Sequence, residues 1–267
     1  MNLRAVLWLL VFPIMLAGCA GTPSRDGEQF ASADRPVLET PPATEREQAA
    51  MVHIDLGTAY FEVGRYDVAL DEARIALAYA PEFSPAFHLM GLVYMFIDDD
   101  VAARDNFLRA LRSAPNDPDF NNSYGWFLCL NGEEAEGLRR LALAARNPYY
   151  RSPTRPHTNA GLCHLRLDQV DEAEIQFRRA VALQQNNPVA MLGLAEVAYR
   201  KGELASARDQ LIALHRRNEP TAQSVWLGLR VERRLGNRAA EASYAAQLRG
   251  RFNDSPEHRA MTQGEYE

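Results

Sequence analysis

Two cysteines carry the most chemical potential in this 267-residue sequence. Cys129 sits in FNNSYGWFLCLNG (120–132) and Cys163 in NAGLCH (159–164). Each thiol could be a nucleophile, a metal ligand, half of a disulfide or a buried apolar group. A nucleophilic thiolate needs a partnered base and an electropositive setting. The neighbours of Cys129 are instead Trp126, Phe127, Leu128 and Leu130. A zinc site needs four convergent ligands. His157 and His164 share a helix face beside Cys163 and supply three at most. The other histidines (His53, His88, His215 and His258) read as helix-surface or groove side chains. The sequence has no GxSxG, no Gly-rich phosphate loop and no HExxH, so no catalytic constellation is found. The expectation is a protein that is not an enzyme and takes no cofactor, metal or small-molecule substrate. The net charge of −6 disfavours nucleic acid, whose phosphates need a basic surface.

The compartment follows from the first residues. MNLRAVLWLLVFPIMLAGC has one cation (Arg4), an apolar run and then small residues. That is the layout of a secretory signal peptide, and the run is short for a membrane span. Its end, LAGC at 16–19, resembles the bacterial lipobox. The resemblance implies cleavage after residue 18 and acylation of Cys19; a plain signal peptide is the alternative. Each buried acyl methylene contributes about 0.8 kcal/mol to anchoring. Ala20 follows Cys19 where an aspartate is absent. In lipoproteins of this kind that implies export to the outer membrane, facing the periplasm. Residues 19–43 are rich in Pro, Ala, Ser and Thr and read as a lipidated flexible tether. Its mean reach is on the order of 25–30 Å.

From Thr44 the chain repeats. TERE at 44–47 is a capping box that opens a helix. Gly57, Gly91 and Gly125 are spaced by 34 residues, and Gly161 follows after the longer RNPYYRSPTRP segment. Around them recur Tyr60 and Tyr94, Ala69 and Ala103, Ala73 and Phe107, Ala76 and Ala110, Pro81 and Pro115. Repeats five and six keep Gly202 and Gly236 at the turn and little else. This pattern resembles the tetratricopeptide repeat. It implies an all-α superhelix (an α-solenoid) of about six helix-turn-helix units, each an A and a B helix, across 44–253. Residues 254–267 are expected to form a C-terminal tail. Ser84-Pro85 and Asp117-Pro118 are read as N-cap and first-turn proline pairs. No segment alternates with period two, so no sheet is expected.

Carrying the family's concave-face positions onto this register gives a candidate partner-binding groove. Its first part holds Phe61, His88, Leu92, Met95 and Phe96. Its middle holds Asn122, Trp126, Cys129, Leu130, Leu162, Leu165 and Arg166. Its last part holds Tyr199, Arg200, Trp226, Arg230, Arg233 and Arg234. The first half is apolar and the last part basic. Contiguous apolar surface marks a binding site; core filling and a solvated basic face are the alternatives. Within the same architecture Cys129 and Cys163 lie on neighbouring A helices, which pack side by side. In an oxidising compartment this favours a Cys129–Cys163 disulfide, with two separate buried thiols as the alternative.

The lipobox, the tether and the repeats holding NNSYGWFLC, NPYYRSP, NAGLC and SVWLGLRVERRLGN are similar to the type IV pilus biogenesis lipoproteins of the PilF/PilW family. That resemblance implies an outer-membrane pilotin which binds the secretin subunit and promotes secretin assembly or localisation. An adaptor lipoprotein that recruits peptidoglycan-processing enzymes or another envelope complex is the alternative.

Overall fold

A computed structural model describes residues 44–266. The segments expected to be a signal peptide and a tether, and Cys19 between them, lie outside the described residues. Among those residues the structure is helical throughout. Six A/B pairs follow one another: α1 (Glu45–Glu62) with α2 (Tyr66–Tyr79), α3 (Ser84–Phe96) with α4 (Asp100–Ser113), and α5 (Pro118–Leu130) with α6 (Glu134–Ala145). They continue with α7 (Thr154–Arg166) and α8 (Val170–Leu183), α9 (Pro188–Arg200) and α10 (Leu204–His215), then α11 (Ala222–Arg234) and α12 (Arg238–Arg251). None of these helices is long and apolar enough to cross a membrane.

Local signals place the helix starts. Thr44 accepts from the Glu47 amide at 3.1 Å while Glu47 accepts from the Thr44 amide at 3.0 Å, closing the capping box. Asp117 accepts from the Phe120 amide at 3.0 Å ahead of Pro118. Ser84 does not cap α3. Phe83 holds the cap position and makes no side-chain hydrogen bond. Its ring is buried in the apolar cluster between repeats one and two, so packing fixes the start of that helix.

Every A-to-B turn passes through one left-handed residue: Gly64, Asp98, Gly132, Asp168, Gly202 or Gly236. Aspartate is among the few L-residues that tolerate this region. All six repeats therefore turn alike, although two lack the glycine. Close packing does the rest. The Phe177 ring of α8 sits between Gly161 of α7 and Gly193 of α9, where a Cβ would come within 2.5 and 2.4 Å of it. Each B helix touches its own A helix and the next one, and consecutive A helices α1, α3, α5, α7, α9 and α11 touch in series. No single pair could bury its apolar face alone; stacking supplies the core.

The two ends of the array differ. Residues 254–267, expected to be a tail, hold a further helix, α13 (Pro256–Gln263). Ser255 caps it by accepting from the His258 amide at 3.1 Å. Met261 is buried with Val225, Leu229 and Leu248, and the Tyr266 ring lies 5.4 Å from that of Trp226. This segment covers the last repeat. At the opposite end Val52 and Leu56 of α1 and Val63 at its C-cap are exposed among the described residues.

Candidate functional site: a cleft on the A-helix face

The two cysteines meet. Cys129 of α5 and Cys163 of α7 form a disulfide with S–S 2.06 Å and Cα–Cα 5.7 Å, fully buried. Neither sulfur is then a nucleophile or a ligand. His157 is hydrogen-bonded to Gln176 at 2.9 Å and His164 to Gln169 at 2.7 Å. Among the described residues no three His, Cys, Asp or Glu side chains are placed to hold a metal ion.

At the opposite end of α5 from the disulfide lies a buried polar knot. Asp119 of α5 accepts from the Tyr150 hydroxyl at 2.8 Å and from Arg155 Nη1 at 3.1 Å. These bonds tie the longer α6–α7 segment to α5. Burial pushes the Tyr150 hydroxyl pKa well up. His88 is hydrogen-bonded to Ser123 at 2.9 Å and lies 4.7 Å from the Phe120 ring. Burial, and secondarily the Arg155 charge, pushes its pKa down to about 3, so His88 is neutral at ordinary pH. Asn159 Nδ2 donates to Asn122 Oδ1 at 3.0 Å, a second cross-link between α5 and α7.

On this frame α5, α7, α9 and α11 open a cleft of about 670 Å³. Its apolar surface comes from Trp126, Leu130, Leu162, Leu165, Leu192 and Trp226; Glu219 and Glu257 stand at the α11–α13 end. Of the residues expected from the sequence, Trp126, Leu130, Leu162 and Arg200 line it, as do Leu165, Arg166, Trp226 and Arg230.

The N-terminal half of the expected groove is filled. His88, Leu92 and Met95 are buried core residues. Near His88 and Leu92 only about 20 Å³ of free space remains. His88 meets Phe120 and Ser123 of α5, and Leu92 and Met95 pack into the apolar cluster shared by repeats two and three, so these side chains meet the next repeat and not solvent. Phe61 and Phe96 are half-buried and meet edge-to-face at 4.9 Å, joined by Tyr66. Asn122 and Cys129 are likewise buried. Arg233 stands outside the cleft. It pairs with Glu241 at 2.8 Å and lies 4.0 Å over the Tyr266 ring, clamping α11 to α12 and to the C-terminal segment.

The arginines have structural work that the sequence did not announce. Arg166, the last residue of α7, donates to the carbonyls of Cys129 (3.2 Å) and Leu130 (3.3 Å) at the end of α5. Arg200 ends α9 and donates to Leu165 O at 2.8 Å; Arg234 ends α11 and donates to Tyr199 O at 3.3 Å. The three are spaced by 34 residues. The last carbonyls of a helix lack intrahelical donors and attract cations, so each arginine closes the helix before its own. Arg200 and Arg230 share Glu196, at 2.9 and 3.0 Å. Arg230 also lies 4.7 Å over the buried Tyr199 ring. Arg166 has no carboxylate partner among the described residues.

Helix pairs stacked through left-handed turns and an open A-helix cleft define a tetratricopeptide-repeat solenoid, a class of scaffold that is typically non-enzymatic. The tetratricopeptide repeat profile matches residues 158–223. Type IV pilus assembly protein PilF of Pseudomonas aeruginosa is 27% identical over 258 residues, 97% of this chain and 97% of that one. The crystal structure of PilW, a widely conserved type IV pilus biogenesis factor, superposes with a TM-score of 0.73 at 28% identity, covering 80% of this chain and 99% of that one. The structure of Pseudomonas aeruginosa PilF gives a TM-score of 0.70 at 26% identity, covering 83% and 100%. Within its class the chain is similar to PilF over 97% of its length, and to PilW in fold.

Proposed function

We propose that this protein serves type IV pilus biogenesis as an outer-membrane lipoprotein, anchored through acylated Cys19 and facing the periplasm. In this reading it binds the secretin subunit through the A-helix cleft and promotes assembly or localisation of the secretin ring. The observation that carries the pilus assignment is the similarity to PilF across 97% of both chains, well beyond one repeat. An open cleft with two tryptophans and six leucines on its walls supports binding of another protein there. The anchor's part is to raise the local concentration at a membrane-bound partner.

The test is Cys19→Ala, followed by membrane fractionation and by counting assembled secretin multimers. The variant is expected to leave the outer membrane and to reduce multimers several-fold. Normal fractionation with a full complement of multimers would overturn the lipoprotein reading.

A further inference from the structure

The cleft's charge is uneven in a way that describes its occupant. Arg200 and Arg230 share Glu196, and Arg200 also meets the exposed Asp168 at 3.4 Å. Arg166 has no carboxylate among the described residues, yet its guanidinium is held in place by two carbonyls of α5. The α7–α9 part of the cleft therefore carries excess positive charge on prepositioned donors. At the opposite end stand Glu219, whose partner Arg251 is 3.3 Å away, and Glu257. Between these ends the surface is apolar. A guanidinium fixed in a largely apolar cleft favours a carboxylate, because charge-assisted hydrogen bonds are the strong ones and little side-chain freedom is left to lose.

We propose that the cleft takes a short segment of a partner protein that joins apolar side chains to a carboxylate, seated with the carboxylate at Arg166 and the apolar side chains between Trp126 and Trp226. This rests on the reading above that the cleft is the partner-binding surface, and adds the chemistry that it selects. An uncharged apolar segment would leave the Arg166 charge without a carboxylate. A basic one would meet repulsion from Arg166, Arg200 and Arg230.

The molecule contains its own reporter. Of three tryptophans, Trp126 and Trp226 line the cleft and Trp8 lies in the leader. The probes are acetylated, amidated leucine–aspartate peptides without aromatic residues, with leucine–asparagine and leucine–lysine counterparts, titrated into the full-length protein while tryptophan emission is read. The aspartate peptide is expected to bind about tenfold or more tighter than the asparagine peptide. Arg166→Gln should remove that preference while leaving the weaker asparagine-peptide binding intact, and Arg166→Glu should turn it toward lysine. Equal affinity for aspartate and asparagine peptides would overturn the charge assignment and leave the cleft as a binding surface. Emission that responds to protein concentration and to none of the peptides would point to a second copy as the occupant and overturn the proposal. Retained secretin multimers in a Leu192→Glu variant with unchanged circular dichroism would instead refute the cleft reading on which it rests.

Discussion

At the scale of single residues, His88 shows how the core differs from a groove. It was a candidate contact for a partner, yet it is buried against Phe120 and bonded to Ser123. Desolvation lowers its pKa from 6.5 to about 3. Because the folded value is depressed, the folded state resists protonation. Stability is full above pH 6.5 and erodes as pH falls from there toward 3. At pH 5 the cost is about 2 kcal/mol relative to neutral pH. Urea midpoints at both pH values, for wild type and His88→Gln, measure it. The wild type is expected to lose about that much more than the variant, whose amide does not titrate. Identical pH dependence in both would contradict the buried, neutral assignment. The cysteines behave differently at this scale. Their pairing follows from the register that puts both on adjoining A helices, and a disulfide closing a loop of this size contributes about 2–4 kcal/mol.

At the scale of elements, α13 converts a chain end into a lid over the last repeat. Met261 covers Val225, Leu229 and Leu248, and Tyr266 meets Trp226. Met261→Asp places a charge in that apolar contact and is expected to lower stability by about 2 kcal/mol or more. Tryptophan emission should move to the red as Trp226 is uncovered. An unchanged denaturation midpoint and spectrum would show α13 to be detached in solution. The sequence did carry signals for this helix: Ser255-Pro256 at its start and Gly264, with φ 79°, at its end. Its eight residues are too few to show a period of their own. The left-handed turns at Asp98 and Asp168 escaped for a related reason, since aspartate is common in turns of many kinds. The 34-residue spacing, by contrast, made the helix pairs and their order legible, because repeats one to four reuse a glycine where backbones meet (Gly57, Gly91, Gly125 and Gly161). Ser84-Pro85 has the sequence of a cap and first-turn proline, but the cap falls one residue earlier because the buried ring of Phe83 fixes the start of α3.

At the scale of the whole molecule, the open surface lies in repeats three to six. The A-helix positions of repeats one and two belong to a filled core. Position rules name side chains on the A-helix face. Whether those side chains meet solvent or the next helix depends on the partners that the neighbouring repeat offers, as Phe120 and Ser123 do for His88, and one repeat's positions do not show them. The arginine ladder was hidden for the same kind of reason, since its acceptors are backbone carbonyls that every sequence has. α13 covers the last repeat, and the cleft lies toward that covered end. The measurement that tests the working-surface claim most directly is site-specific photocrosslinking in the intact envelope. A photoreactive residue would replace Leu162 or Leu192 in the cleft, or the exposed Ile175 on α8 as the control. The account predicts crosslinks to the secretin subunit from Leu162 and Leu192 and none from Ile175. Crosslinks from Ile175 with silence at both cleft positions would contradict it.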